Sequence, residues 1–92
     1  MPRKLSKAEI QKKFEEATQI LKNIANNRQI PRNIRRAAEE AINVLNDESM
    51  TPAARVANCV SIIENMAYDP NMPIFARMWV WKVVSILEPI RD

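Results

Sequence analysis

The sequence predicts an all-α fold: a four-helix array built from two HEAT-like helical hairpins that repeat at 42 residues. Three observations carry that reading. The 92 residues include no glycine, which argues against hairpin turns, bulges and phosphate-cradling loops that rely on positive φ. Pro31, Pro52 and Pro73 each precede a run with helical period, and proline is favoured at a helix start, where a missing N–H costs nothing. Third, the chain matches itself when shifted by 42 positions.

The first helix begins at Ser6. Ser6 and Glu9 form a capping box with Leu5 and Ile10 placed as a hydrophobic staple. Ile10, Phe14, Ala17, Leu21 and Ile24 then follow at steps of three or four, one stripe on one face, to about Asn26. The prolines open helices near 31–46, 51–68 and 73–88, with Thr51 as a natural N-cap and Asn46–Ser49 as a polar link between hairpins at about 6–46 and 51–90. Apolar residues form 47% of the chain and charged residues 27%, the profile of one folded domain over residues 1–92.

The shift of 42 aligns Pro31 with Pro73, Arg35 with Arg77, Ala38 with Val80, Ala41 with Val83, Ile42 with Val84 and Leu45 with Leu87. Upstream, Ala17 falls on Cys59, Leu21 on Ile63 and Ile24 on Met66. The core face repeats, and the period lies in the range of HEAT and armadillo units. Two such units bury their stripes against each other as a compact array rather than a long solenoid.

The segments IPRNIRRAAEEA, TPAARVANCVSIIE and DPNMPIFARMWVWKVVSILE resemble those of a small archaeal group, uncharacterised protein family 0147, over almost the whole chain. The resemblance implies an archaeal, helical, cytoplasmic protein. No activity or functional residue is established for that family, so the resemblance brings none to this chain.

Catalysis is not expected. Histidine is absent and Cys59 is the single cysteine, which removes the commonest general base and leaves no recognisable metal-ligand set. Glu15 with Glu16, Glu39 with Glu40 and Asp47 with Glu48 are sequence neighbours; on a helix such neighbours point about 100° apart and read as a solvated face. We therefore expect no catalytic residue, cofactor, metal or small-molecule substrate. Cys59 sits in an apolar run and reads as a buried thiol in a reducing compartment. The longest apolar region, Ile74 to Leu87, contains Arg77 and Lys82 and is too short to span a bilayer, so a cytoplasmic location without membrane contact is expected.

Arg35, Arg55 and Arg77 stand early in their helices, where a cation opposes the helix dipole. A hydrogen-bonded structural role, with a loop carbonyl or carboxylate such as Asp69 for Arg77, is favoured over ligand binding. Charge is uneven: residues 1–46 hold ten Lys or Arg against five acids, net +5, and residues 47–92 hold four against six, net −2. Lys12, Lys13, Arg28, Arg32 and Arg36 are the candidate polyanion contacts. The competing reading is a solvated surface on which Arg35 and Arg36 pair one turn on with Glu39 and Glu40, in keeping with the charge-rich helices of thermophile proteins.

The fourth helix carries more apolar residues than its core stripe needs. Phe75, Met78, Trp79 and Ile86 fall mostly on a second face, with Trp81 at its edge, whereas Asn33, Arg36, Ala37 and Val44 at the equivalent places are far more polar. That face is covered either by the rest of the chain or by a protein partner, since tryptophan, phenylalanine and methionine are enriched at interfaces. The leading expectation is a non-enzymatic protein-interaction module that self-associates or binds another protein through the fourth helix. The alternative is an accessory protein binding RNA, DNA or a ribonucleoprotein through its basic half.

Overall fold

At Ser6 the capping box closes in both directions: Glu9 N–H donates to Ser6 Oγ at 3.1 Å and Ser6 N–H to Glu9 Oε1 at 3.0 Å. This starts α1 (Lys7–Ala25) and satisfies two backbone donors that the first turn leaves without helical partners. A computed structural model describes residues 4–91 and shows three further helices, α2 (Arg32–Leu45), α3 (Pro52–Ala67) and α4 (Ile74–Leu87). No described residue other than those of the helices, turns and caps forms a regular element, so the expected all-α fold stands.

The prolines start helices in two ways. Pro52 is at the first helical position, behind Thr51, whose Oγ1 accepts from Ala54 N–H at 3.3 Å. Pro31 and Pro73 instead occupy the N-cap, one residue earlier than expected. Both are extended, with ψ of 148° and 144°, and no side-chain bond caps either helix. The reason lies in the preceding residue: a capping hydroxyl precedes Pro52, whereas Ile30 and Met72, both buried in the core, precede the other two. The proline carbonyl accepts the first helical N–H, that of Arg35 in α2 and Arg77 in α4, as the Ser6 and Thr51 carbonyls do in their helices, and at the prolines it also takes the N–H of Ile34 or Ala76.

The three corners share one construction. A helix often ends on a left-handed residue, for which glycine is the usual choice; this chain has no glycine, and no described residue has positive φ. Each helix instead closes with a three-residue backbone bond to Asn27, Asp47 or Asp69. The side chain of that residue then accepts from the N–H two places on: Gln29 at 2.9 Å, Ser49 at 3.0 Å and Asn71 at 2.8 Å. Its carbonyl accepts from the N–H of Ile30, Met50 or Met72. At Asp47, bonds from the Ser49 hydroxyl and N–H hold the carboxyl below its usual range. The finer unit is thus one helix plus one corner, with Asn27, Asp47 and Asp69 set 20 and then 22 residues apart.

One continuous core holds the helices together. α1 contributes Phe14, Ala17, Leu21 and Ile24, and α3 contributes Cys59, Ile63 and Met66 at positions 42 further on. Ile34, Ala38, Ala41 and Leu45 of α2 match Ala76, Val80, Val83 and Leu87 of α4 in the same way. α1 packs on α2 and α4, and α3 packs on the same two, so the hairpins close into a bundle with α2 and α4 on one diagonal. Arg55 bridges the other diagonal, its guanidinium 5.4 Å from the centre of the Phe14 ring. No charged or polar residue among those described is buried, and burial pushes the Cys59 thiol up to about 12.

Candidate functional site: the outer face of α4

The buried stripe of α4 fixes where its other side chains point. With Ala76, Val80, Val83 and Leu87 inward, the line diametrically opposite runs through Ile74, Met78, Trp81 and Ser85 at helical steps of four, three and four. Ile74 is 77% exposed, Met78 70% and Trp81 42%. Tyr68, at the end of α3, is 73% exposed and meets Trp81 edge to face at 6.5 Å. Phe75, 41% exposed, flanks the same stripe. These five are the exposed large apolar side chains of the described residues, and all gather on α4 and the corner that leads into it.

The five interface residues expected from sequence therefore separate. Phe75, Met78 and Trp81 lie on the open surface, and Trp81 stands in its central line rather than at an edge. Trp79 and Ile86 are half-buried and pack against the core. Trp79 also takes Phe75 edge to face at 5.6 Å, so it supports the surface from beneath. Ile74 and Tyr68 escaped the sequence reading. The signal for Ile74 was present: it matches Arg32 in the repeat and precedes Met78 and Trp81 by four and seven residues.

The arginines behave differently from one another. Arg35 Nε donates to the Ile30 carbonyl at 3.0 Å and Arg55 Nε to the Met50 carbonyl at 2.9 Å, each reaching back five residues to tie a corner to its helix. Arg77, at the matching place in α4, has a buried Nε without a hydrogen-bond partner among the described residues. The Asp69 carboxylate, expected to pair with it, accepts instead from Asn71 N–H and from Asn33 Nδ2 at 3.1 Å, which links the first turn of α2 to the third corner.

The basic residues do not form one patch. Lys12 and Lys13 lie in the first half of α1, whereas Arg28 is in the first corner and Arg32 and Arg36 open α2. The thirteen helical steps from Lys12 to Ala25 span about 20 Å. The ion pairs expected from Arg35 and Arg36 to Glu39 and Glu40 are also missing among the described residues, where Arg35 holds the Ile30 carbonyl instead.

Enclosed chemistry is sparse. A cleft of about 490 Å³ between α1 and the start of α3 is lined by Lys7, Ile10, Phe14, Glu48, Pro52 and Arg55. A second, of about 300 Å³ between α2 and α3, is lined by Asn33, Glu40, Ile62, Asn65, Met66 and Asp69. The neighbouring carboxylates Glu15, Glu16, Glu39, Glu40, Asp47 and Glu48 are all exposed. No group of three or more potential metal ligands occurs among the described residues, and no described helix is long and apolar enough to cross a membrane.

Fold and surface together define a class: small all-helical domains built from repeated helix-and-corner units, with one apolar outer helix face. Within it, a family model described as Uncharacterised protein family (UPF0147) matches residues 1–90, and the chain belongs to that family. It is 50% identical over 80 residues to a UPF0147 protein of Desulfurococcus amylolyticus, covering 87% of this chain and 88% of that one. A UPF0147 protein of Saccharolobus solfataricus is 49% identical over 80 residues, with 87% and 90% covered. Both are archaeal proteins. A crystal structure of a protein of unknown function superposes with a TM-score of 0.86 at 37% identity, covering 98% of this chain and 99% of that one. A crystal structure of a UPF0147 protein from Thermoplasma acidophilum gives 0.84 at 27% identity, with 91% and 99% covered.

Proposed function

We propose that this protein is a non-catalytic helical binding domain that works through the outer face of α4, and that the face pairs with a second copy of the chain. One observation carries the reading: Ile74, Met78 and Trp81 form an exposed apolar line, flanked by Tyr68 and Phe75, on the side of α4 turned away from its own core. At those exposures the five residues present roughly 600 Å² per copy, so a symmetric pair that covered all of it would bury up to about 1,200 Å², against the roughly 1,000 Å² of a specific interface.

The spacing suits self-pairing. In an antiparallel pair with its two-fold axis beside Met78, Ile74 of each copy faces Trp81 of the other, because they stand four residues before and three after it. Such an isologous contact closes on itself and forms no fibre. The tyrosine and tryptophan supply the rigid, amphipathic area typical of interface anchors.

Light scattering over a range of concentrations tests this against Trp81→Glu. The wild type should show twice the mass of one chain, and the variant a single chain with an unchanged helical circular dichroism spectrum. A wild type that stays a single chain up to millimolar concentration overturns the proposal. Trp81 is the appropriate site because Trp79 packs on the core, and a charge there would disturb the fold itself.

A further inference from the structure

We propose that the α1–α2 corner is a second binding surface, one that takes the phosphate backbone of a double-stranded nucleic acid. Arg28 in the corner and Arg32 and Arg36 on the first turns of α2 are all exposed, and the last turn of α1, which leads into this corner, carries the exposed Lys22. Among the described residues these four cations make no ion pair and no side-chain hydrogen bond. Their charge is therefore not spent within the molecule. Arg32 and Arg36 are one turn apart on the outward line of α2, about 6 Å along the axis. Arg35, bonded to the Ile30 carbonyl, lines a shallow depression with Arg32, Arg36 and the acid Glu39, which closes one side of it, and adds a fixed charge behind the two exposed arginines. α2 also carries no acid in its first turn, so its helix dipole adds to the positive field.

The chemistry selects the occupant. Three of the four exposed cations are arginines, whose planar fork matches a phosphate's paired oxygens. The outward line of α2 runs Arg32, Arg36, Glu39 and Asn43 and offers no aromatic on which an unpaired base would stack. An open, charged helix face with no stacking platform fits a duplex backbone, read without base specificity. Glu39 marks where the positive stretch ends. Because α2 and α4 occupy one diagonal of the bundle, this surface faces away from the apolar stripe and stands independently of the pairing proposed for it.

Fluorescence anisotropy with a labelled DNA duplex of about 20 base pairs in about 25 mM salt tests the assignment. The wild type should bind, with a log–log salt slope of about −3 for three to four phosphates neutralised. The triple variant Arg28→Glu, Arg32→Glu, Arg36→Glu should lose at least about 30-fold in affinity, and Glu39→Lys should gain severalfold. A remote control, Lys7→Glu with Lys12→Glu and Lys13→Glu, reverses as many charges about 20 Å away and should cost less than about fivefold, the part owed to net charge alone. Circular dichroism confirms that each variant is folded. The proposal is overturned by absent binding at low salt, by equal losses in the two triple variants, by tighter binding of the matching single strand, or by displacement with polyglutamate as effective per charge as with DNA.

Discussion

α2 and α4 are the same helix used twice, alike where they face inward and opposite where they face out. Inside, Ile34, Ala38, Ala41 and Leu45 answer to Ala76, Val80, Val83 and Leu87, all buried. Outside, Arg32, Arg36 and Glu39 of α2 stand where α4 has Ile74, Met78 and Trp81. Inward positions are fixed by a common packing problem, in which the loss of a few methyl groups leaves a cavity. Outward positions carry no such constraint, and the apolar line that α4 exposes there is the basis of the pairing proposed for it.

The sharpest way to break the inner half of this comparison is to truncate its matching leucines. Leu45→Ala and Leu87→Ala should each cost about 3 kcal/mol in chemical denaturation. A large inequality between the two would mean that the hairpins do not share one packing solution.

The outer half is tested by transplanting one surface onto the other. Ile74→Arg, Met78→Arg and Trp81→Glu together give α4 the surface of α2 and should weaken self-association by at least about 30-fold, the scale of a lost tryptophan anchor. Charge reversal at Arg28, Arg32 and Arg36 should leave the solution mass unchanged. A third contrast lies in the corner arginines. Replacing Arg35 or Arg55 by methionine should cost about 1–2 kcal/mol, since a part-buried carbonyl loses its charged donor. Arg77→Met should cost less, because its Nε makes no bond to lose.

A smaller effect separates α1 from α3, where Ala17 is matched by Cys59. Burial raises the Cys59 thiol from its usual 9.0 to about 12, so the folded state favours the neutral form. The unfolded chain therefore gives up this proton first. Thermal stability should begin to fall as pH rises above about 9 and go on falling toward 12, and Cys59→Ala should flatten that stretch of the profile.

Much of the fold could be read from residue type and spacing. Ser6 with Glu9 and Thr51 with Pro52 state helix starts locally, and the shift of 42 exposes the core, because buried positions tolerate little change. The corners were less legible. Asn27, Asp47 and Asp69 look like ordinary polar loop residues, and their common role emerges only from the carbonyls and N–H groups they hold. For the arginines the kind of partner, a loop carbonyl or carboxylate, was legible but not which one: two hold backbone carbonyls five residues back, and a particular carbonyl has no signature in sequence. On α4 the aromatic excess was visible, but its division was not. Trp79 and Trp81 differ by two positions, and only the orientation of the helix against α1 and α3 decides which supports the core and which faces water.

The most direct test of the central claim follows Trp81 itself. In a Trp79→Phe background Trp81 is the single indole of the chain, exposed on one copy and covered in a pair. Its emission, measured while the protein is diluted through dissociation, should move from blue to red in step with the loss of mass. A pair whose Trp81 emission stays that of a solvent-exposed indole at every concentration would place the interface elsewhere and contradict the account.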